Sequence, residues 1–503
     1  MTSSTELTAL SLIDSHARTN PDHPAVVFED RTITRGELFQ RSVRLARYFA
    51  SLGLARGGRV CVHAENHPDL YAIYFATLRC GAALFPINSE LAQDEVAYIL
   101  EKSDPDLFIL DRARTARAAA FEDAPGSRCK TIAIGDLPFE EMSAGLAPVH
   151  EVLPERGLDD LALVVHTSGT TARPKGVAAT DTMEVRSAQA LHRVWKITPE
   201  DRSVCALPLS YTFGMFSASY VALSAGASVL LLRKFNPVQV LEAIQTHRAT
   251  YMVGVPTMYA MMLDHVQQTG RRYDLSSIRM MAASGAPAAP QLKSDFEAAF
   301  GVTLRDYYAL SECTPIFSFD LGRTEPPPHG SVGSLVAGAE VRLVDDAGRE
   351  VPNGETGELL VRSERLMPGY YLDPDRTAEA ISDGWFKTRD LAWRDQAGHF
   401  FIVGRDRDQV ISGGHKIAST EVESTIAQMP HVARVAVVGA PHPVMGELVK
   451  AVVVLKSGHQ CSAESVVAFC SERLAAYKVP KIVEFRTDLP VSPAGKVLKR
   501  QLV

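Results

Sequence analysis

The feature that most limits what this chain can fold into is a junction about a third of the way along it. Leu161-Ala162-Leu163-Val164-Val165 is a short, unbroken apolar run, which reads as a strand buried in a sheet. It gives way almost at once to Thr167-Ser168-Gly169-Thr170-Thr171-Ala172-Arg173-Pro174-Lys175-Gly176. A hydroxyl-rich stretch punctuated by Gly and Pro leaves a sheet as a loop. Backbone N–H groups around Gly169, the hydroxyls of Thr167, Ser168, Thr170 and Thr171, and the Lys175 ammonium would together cradle a polyphosphate. The run is not a Walker A loop, because Gly176 follows Lys175 where that pattern needs Ser or Thr. The plain alternative for the loop alone is a solvated Ser/Thr turn.

The rest of the chain is organised around such strand and loop units. Helical spacing over Glu37 to Leu52 precedes a short strand at Arg59 to His63. A helix over Leu70 to Arg79 leads into a strand within 81–88, and similar strands follow at 203–208, 227–232 and 251–255. Alternation of this kind predicts layered α/β architecture. From about Gly330 the texture changes to short strands between turn signals such as Pro352-Asn353-Gly354, a β subdomain. After Gly404 it is mixed again, with helices over 420–429 and 463–475 and strands over 432–438 and 449–455. The fold class expected is therefore α/β. A large region, 1–404, holds the α/β layers and the β subdomain, and a small α+β domain, 405–503, follows.

With 503 residues, more than one core is required. The formal charge of −7 argues against a general nucleic-acid binder, although residues 405–503 carry 13 Lys and Arg against 9 Asp and Glu. Seven scattered cysteines without a C-x-x-C pair fit a reducing compartment. The opening Met1-Thr2-Ser3-Ser4-Thr5-Glu6-Leu7 has no secretory pattern, and no apolar run approaches the roughly eighteen residues of a membrane span. A cytoplasmic location is expected.

Five further segments carry chemistry. Asp306-Tyr307-Tyr308-Ala309-Leu310-Ser311-Glu312 offers an aromatic face for a purine and oxygen donors of the kind Mg²⁺ takes; a helix start at Ser311-Glu312 is the plain alternative. Gly384-Trp385-Phe386-Lys387-Thr388-Arg389-Asp390 supplies a carboxylate able to accept both ribose hydroxyls. Gly404-Arg405-Asp406-Arg407 and Ser412-Gly413-Gly414-His415-Lys416 follow, and Ser492-Pro493-Ala494-Gly495-Lys496 stands near the end.

In this order, these runs closely resemble the motifs of the AMP-forming, adenylate-making superfamily of acyl- and aryl-CoA ligases, adenylation domains and firefly-type luciferases. The resemblance implies two half-reactions. A carboxylate attacks the α-phosphorus of ATP, giving an acyl-adenylate and pyrophosphate; a thiol then displaces AMP. It implies that the loop Thr167 to Lys175 binds ATP phosphates, and that Thr170 and Glu312 hold Mg²⁺. Ser284, Gly285 and Ala286 would lie on the adenine side with Asp306, Tyr307, Tyr308 and Ser311, and Asp390 and Arg405 would lie at the ribose and phosphates. Arg407 would be the hinge of a mobile C-terminal domain. Gly414 and Lys416 would border a thiol tunnel. Lys496 would bridge carboxylate and phosphate during adenylation. Ala172, Ala309, Arg389 and Arg407 depart from the family pattern.

The segment Pro208 to Gly214 corresponds to the family's acyl gate, with Tyr211 in place of the usual His. No Asp lies between Pro208 and Tyr220 to pair a substrate ammonium, and an unpaired buried ammonium is costly. An acid without an α-amino group is expected, aryl or medium-chain, in a pocket of Tyr211, Phe213, Met215, Val255, Ala283 and Ala309. Coenzyme A is the expected acceptor; an acidic acyl-carrier protein is the alternative. A nucleotide-binding regulator and a luciferase-type oxygenase share the resemblance.

Overall fold

The computed structural model describes residues 7–111, 129–134, 156–167, 174–285, 288, 290–323, 327, 328, 330–345, 347–405, 409–456, 458–490 and 499–503. Two sheets dominate the large unit. One has seven strands, in the order Leu304–Asp306, Met280–Ala283, Tyr251–Gly254, Arg202–Cys205, Ser228–Leu231, Pro24–Phe28, Arg31–Thr34. The other has six, in the order Lys130–Ile134, Leu107–Asp111, Arg59–His63, Ala83–Ile87, Leu161–Thr167, Lys175–Thr180. Both are parallel apart from one antiparallel hairpin at an edge, as strand–helix–strand crossovers require.

One hydrophobic core joins strands of both sheets and contains helix Asp69–Arg79. Residues 70–78 of that helix are all buried, which explains why its sequence is apolar all round rather than striped. The expected strands at 59–63, 161–165, 203–208, 227–232 and 251–255 all appear, within a few residues of their expected bounds.

The expected β texture beyond Gly330 forms a five-stranded antiparallel sheet built on Gly357–Ser363 and Trp385–Arg394. Strand Phe400–Arg405 still belongs to it. The next described strand, Gln409–Ser412, belongs to a separate sheet of the small unit. There, strands Val432–His442 and Gly446–Leu455 pair along their whole length, well past the expected strands. Polar residues around Glu447 conceal the continuation, which backbone pairing imposes.

Alternation along these strands serves two cores. Val437, Ala451 and Val453 face one, while Ala436, Val438, Val452 and Val454 face the other, which is covered by Leu489 and Leu502 of the tail. Helix Ala463–Ser471 stops short of the expected 475. The chain beyond it is drawn elsewhere: Ala475 and Tyr477 pack into a cluster of the large unit with Phe85, Val164 and Tyr371.

Candidate active site

The small unit's insertion into the large one defines a cavity of about 660 Å³. Its walls include Thr167, Tyr211, Phe213, Val255, Ser284, Gly285, Tyr307, Ala309 and Ser311 from the large unit and Gly413, Gly414, His415, Met445 and Tyr477 from the small one. Met215 and Ala283, expected at the acyl pocket, do not line it: both are buried in the surrounding core. The segment Pro208 to Gly214 is held by backbone contact, since a Cβ at Gly214 would lie 2.2 Å from the Pro208 carbonyl oxygen. It opens a π-helical stretch, Phe213–Tyr220, a form that recurs at functional sites.

The expected phosphate-loop residues Ser168, Gly169, Thr170 and Thr171 lie outside the described residues, as do Ala286, Arg407 and Lys496. The ends of that loop are defined: Thr167 pairs with Lys175 across an antiparallel hairpin. The Lys175 ammonium lies 3.4 Å from the Tyr370 hydroxyl and 4.7 Å from the centre of its ring. Tyr370 in turn donates a 3.0 Å hydrogen bond to Glu312 Oε1. Burial pulls the Lys175 pKa below its usual value, against the attraction of Glu312. Tyr370 is placed there because segment 369–371 binds the outer strand of the hairpin, Ala178 N–H to Gly369 and Tyr371 N–H to Gly176. No local signal marks that pairing in the sequence.

Ser311 and Glu312 form the turn between strands Tyr308–Leu310 and Cys313–Ser318, not a helix start. Tyr308 donates a short hydrogen bond to Asp390. Asp390 is buried and stands opposite Arg405 in the sheet. Asp306 is buried in an ion pair with Lys293, and desolvation holds its carboxyl above the usual range. Tyr307 packs edge-on against Trp195. Arg389 sits at φ 61°, in the left-handed region, where a side chain costs roughly 1 kcal/mol. That conformation favours glycine, and the guanidinium is held by Glu379.

At the opposite wall, Lys416 pairs with Ile411 in the hairpin that presents Gly413 and Gly414. The His415 ring stacks on Tyr477, 3.8 Å between centroids, and the Tyr477 and Tyr211 hydroxyls are 3.1 Å apart. Burial pushes His415 down to about 4, so the ring is neutral at physiological pH. Asn88, also on the cavity wall, is buried beside Tyr211. Sequence reasoning missed Lys293, Tyr370, Tyr477 and Asn88. Tyr477-Lys478 and Pro86-Ile87-Asn88 look like ordinary element ends, and only the domain contact gives them a role.

Residues 13–371 match the family described as AMP-binding enzyme, and residues 421–496 match its C-terminal domain. The chain belongs to the AMP-binding enzyme family. It is 34% identical over 489 residues to a feruloyl-CoA synthase from Amycolatopsis, covering 97% of this chain and 96% of that one. A solved amide bond synthetase from Marinactinospora thermotolerans superposes with a TM-score of 0.89 at 29% identity, covering 99% of both chains. A double mutant of the o-succinylbenzoate CoA synthetase of Bacillus subtilis, bound to a product analogue, superposes with a TM-score of 0.87 at 28% identity, covering 99% of this chain and 98% of that one. This AMP-binding enzyme is an AMP-forming acid–thiol ligase. It activates a carboxylic acid with ATP and transfers the acyl group to coenzyme A. No helix among its described residues is long and apolar enough to cross a membrane.

The Lys175–Tyr370–Glu312 chain carries a prediction. Tyr370→Phe keeps the ring under Lys175 but removes the hydroxyl shared by a cation and a carboxylate. A hydrogen bond to a charged group contributes about 1.5–3 kcal/mol, so KM for ATP is expected to rise about tenfold or more, with at most a small fall in melting temperature. An unaltered KM for ATP would separate this trio from nucleotide binding.

Proposed function

We propose that the acid is an aryl or medium-chain carboxylic acid without an α-amino group, and that the docked small unit is the arrangement for thiol attack. The observation that carries this reading is the shared cavity. The apolar wall of Tyr211, Phe213, Val255 and Ala309 and the Gly413–Gly414 turn bound one space, so acyl carbonyl and incoming thiol would meet there. Two acidic groups also border it. Glu90 is exposed, and Glu65 is paired with Lys234 at 2.9 Å, so among the described residues bordering the cavity neither acidic group is a buried carboxylate that would need an ammonium. Residues 405–503 would act as the mobile domain, turning at Arg407.

In the adenylation step Lys175 would neutralise phosphate charge, and Asp390, braced by Tyr308, would accept the ribose hydroxyls. Among the described residues no group of three or more His, Cys, Asp or Glu could hold a metal ion. A single carboxylate, Glu312, fits Mg²⁺ that arrives with the nucleotide, because such ions keep phosphate oxygens and waters as their other ligands. Thr170 would add a hydroxyl. The ion would offset charge on the phosphates. Lys496 would approach carboxylate and α-phosphate in this step only. Lys496→Ala is therefore expected to abolish acid-dependent ATP–pyrophosphate exchange while thioester formation from supplied acyl-adenylate survives. Equal loss in both assays would overturn that role.

The direct test of the substrate class is pyrophosphate release across ferulate, indoleacetate, benzoate, octanoate and phenylalanine, with and without coenzyme A. Activity confined to phenylalanine would sink the reading. The likeness to an amide bond synthetase favours one second reading, an amine acceptor. Amide formation in the absence of coenzyme A would establish it.

A further inference from the structure

Lys478 is almost wholly buried, at 1% exposure, where an ammonium is rarely found without partners. Its ammonium lies 2.5 Å from Glu95 Oε1 and 2.7 Å from Glu421 Oε1. Glu95 belongs to helix Gln93–Ser103 of the large unit and Glu421 to helix Ser419–Ile426 of the small one. The cation thus sits between one carboxylate from each unit. The flanking residues prepare this placement: Leu474 and Val479 are buried in the small unit's own core, while Ala475 is buried against the large unit. Tyr477, next to Lys478, reaches the cavity, stacks on His415 and meets the Tyr211 hydroxyl. The turn that ends at His415 presents Gly414, where a Cβ would lie 2.6 Å from Val255.

We propose that Lys478 is a positioning residue for thiol transfer: by sharing its ammonium between Glu95 and Glu421 it clamps the small unit in the docked arrangement and so holds the Gly413–His415 turn in the cavity. The proposal rests on the two-half-reaction reading above. Without the cation, two buried carboxylates from different units would face each other, and a charge left uncompensated in an interior is strongly unfavourable. The units would separate to solvate them. Adenylation, which does not need this contact, would continue.

The clamp is tested with Lys478→Met and with the double variant Glu95→Gln, Lys478→Met, which removes the charge that Met leaves uncompensated in the large unit. Deuterium uptake in residues 93–103 and 475–479 reports docking without any substrate. It is expected to accelerate in Lys478→Met and to return toward the native pattern in the double variant. With ferulate, indoleacetate, benzoate and octanoate as probes, thioester formation from preformed adenylate should fall about tenfold or more in Lys478→Met, because the competent population falls. ATP–pyrophosphate exchange should stay at the native level. Native deuterium uptake in Lys478→Met, or equal loss of both half-reactions in a variant with native melting, would overturn the proposal. Should the native enzyme show no acid-dependent exchange with any probe, the functional reading would fall, and deuterium uptake would still decide the clamp.

Discussion

Gly414→Leu is expected to leave acyl-adenylate formation near the native rate and to slow thioester formation about a hundredfold or more, the scale of loss when reacting groups are displaced by about an ångström. Two independent features of the docked structure exclude a side chain at this position. Gly414 stands at φ 82°, and a Cβ built on it would lie 2.6–2.7 Å from three carbons of Val255. Val255 caps helix Pro256–Thr269, and one of the three carbons met is its own Cβ, which no rotamer change can move, so relief requires a backbone shift. Leucine would therefore add strain from its φ to overlap with a packed wall. The cheapest relief is for the small unit to undock, which costs the thiol step its geometry and leaves the nucleotide side alone. Single-turnover assays of each half-reaction, on protein shown to melt normally, provide the check. Native thioester formation would remove Gly414 from the thiol path.

Glu184→Gln is expected to stabilise the enzyme in alkaline solution. Glu184 is buried on helix Asp181–Trp195 and accepts a hydrogen bond from Tyr74. Thr212, Ser311 and Thr314 line both the large cavity and a second void of about 20 Å³ whose wall includes Glu184. Burial, assisted by nearby Asp181, pushes its carboxyl from the ordinary 4.5 up to about 8. The native state thus keeps a proton that the unfolded chain has released. Stability then falls as pH rises above 4.5, and the loss is complete once pH passes about 8; a difference of that size corresponds to about 4–5 kcal/mol. Glutamine retains an acceptor for Tyr74 and cannot ionise. Its melting midpoint should exceed the native one by several degrees above pH 8 and converge with it near pH 4.5. Parallel curves across that range would show that Glu184 is charged in the folded protein.

Much of the fold was legible because buried parallel strands write themselves as short apolar runs. Those at 59–63, 161–165, 203–208, 227–232 and 251–255 needed no tertiary knowledge, and the turn-punctuated β region beyond Gly330 was equally plain. The bounds that failed were those set by partners. Val432–His442 and Gly446–Leu455 run past their apolar stretches because each supplies the other's hydrogen bonds. Helix Ala463–Ser471 ends early because Ala475 and Tyr477 serve another core.

By itself the sequence determined the layered α/β class and the order of the nucleotide motifs from Thr167 to Lys496. These are properties of contiguous residues: a strand, a glycine, a hydroxyl or a cation at a set spacing. Tertiary structure alone decided which groups from distant segments meet. It placed Tyr370 between Lys175 and Glu312, Lys293 on Asp306, and Tyr477 against Tyr211, while turning Met215 and Ala283 into core. It also set Lys478 between Glu95 and Glu421, 383 and 57 residues away in sequence. A buried charge has meaning only through partners that neutralise it, and nothing local in Tyr477-Lys478 names residues so far along the chain.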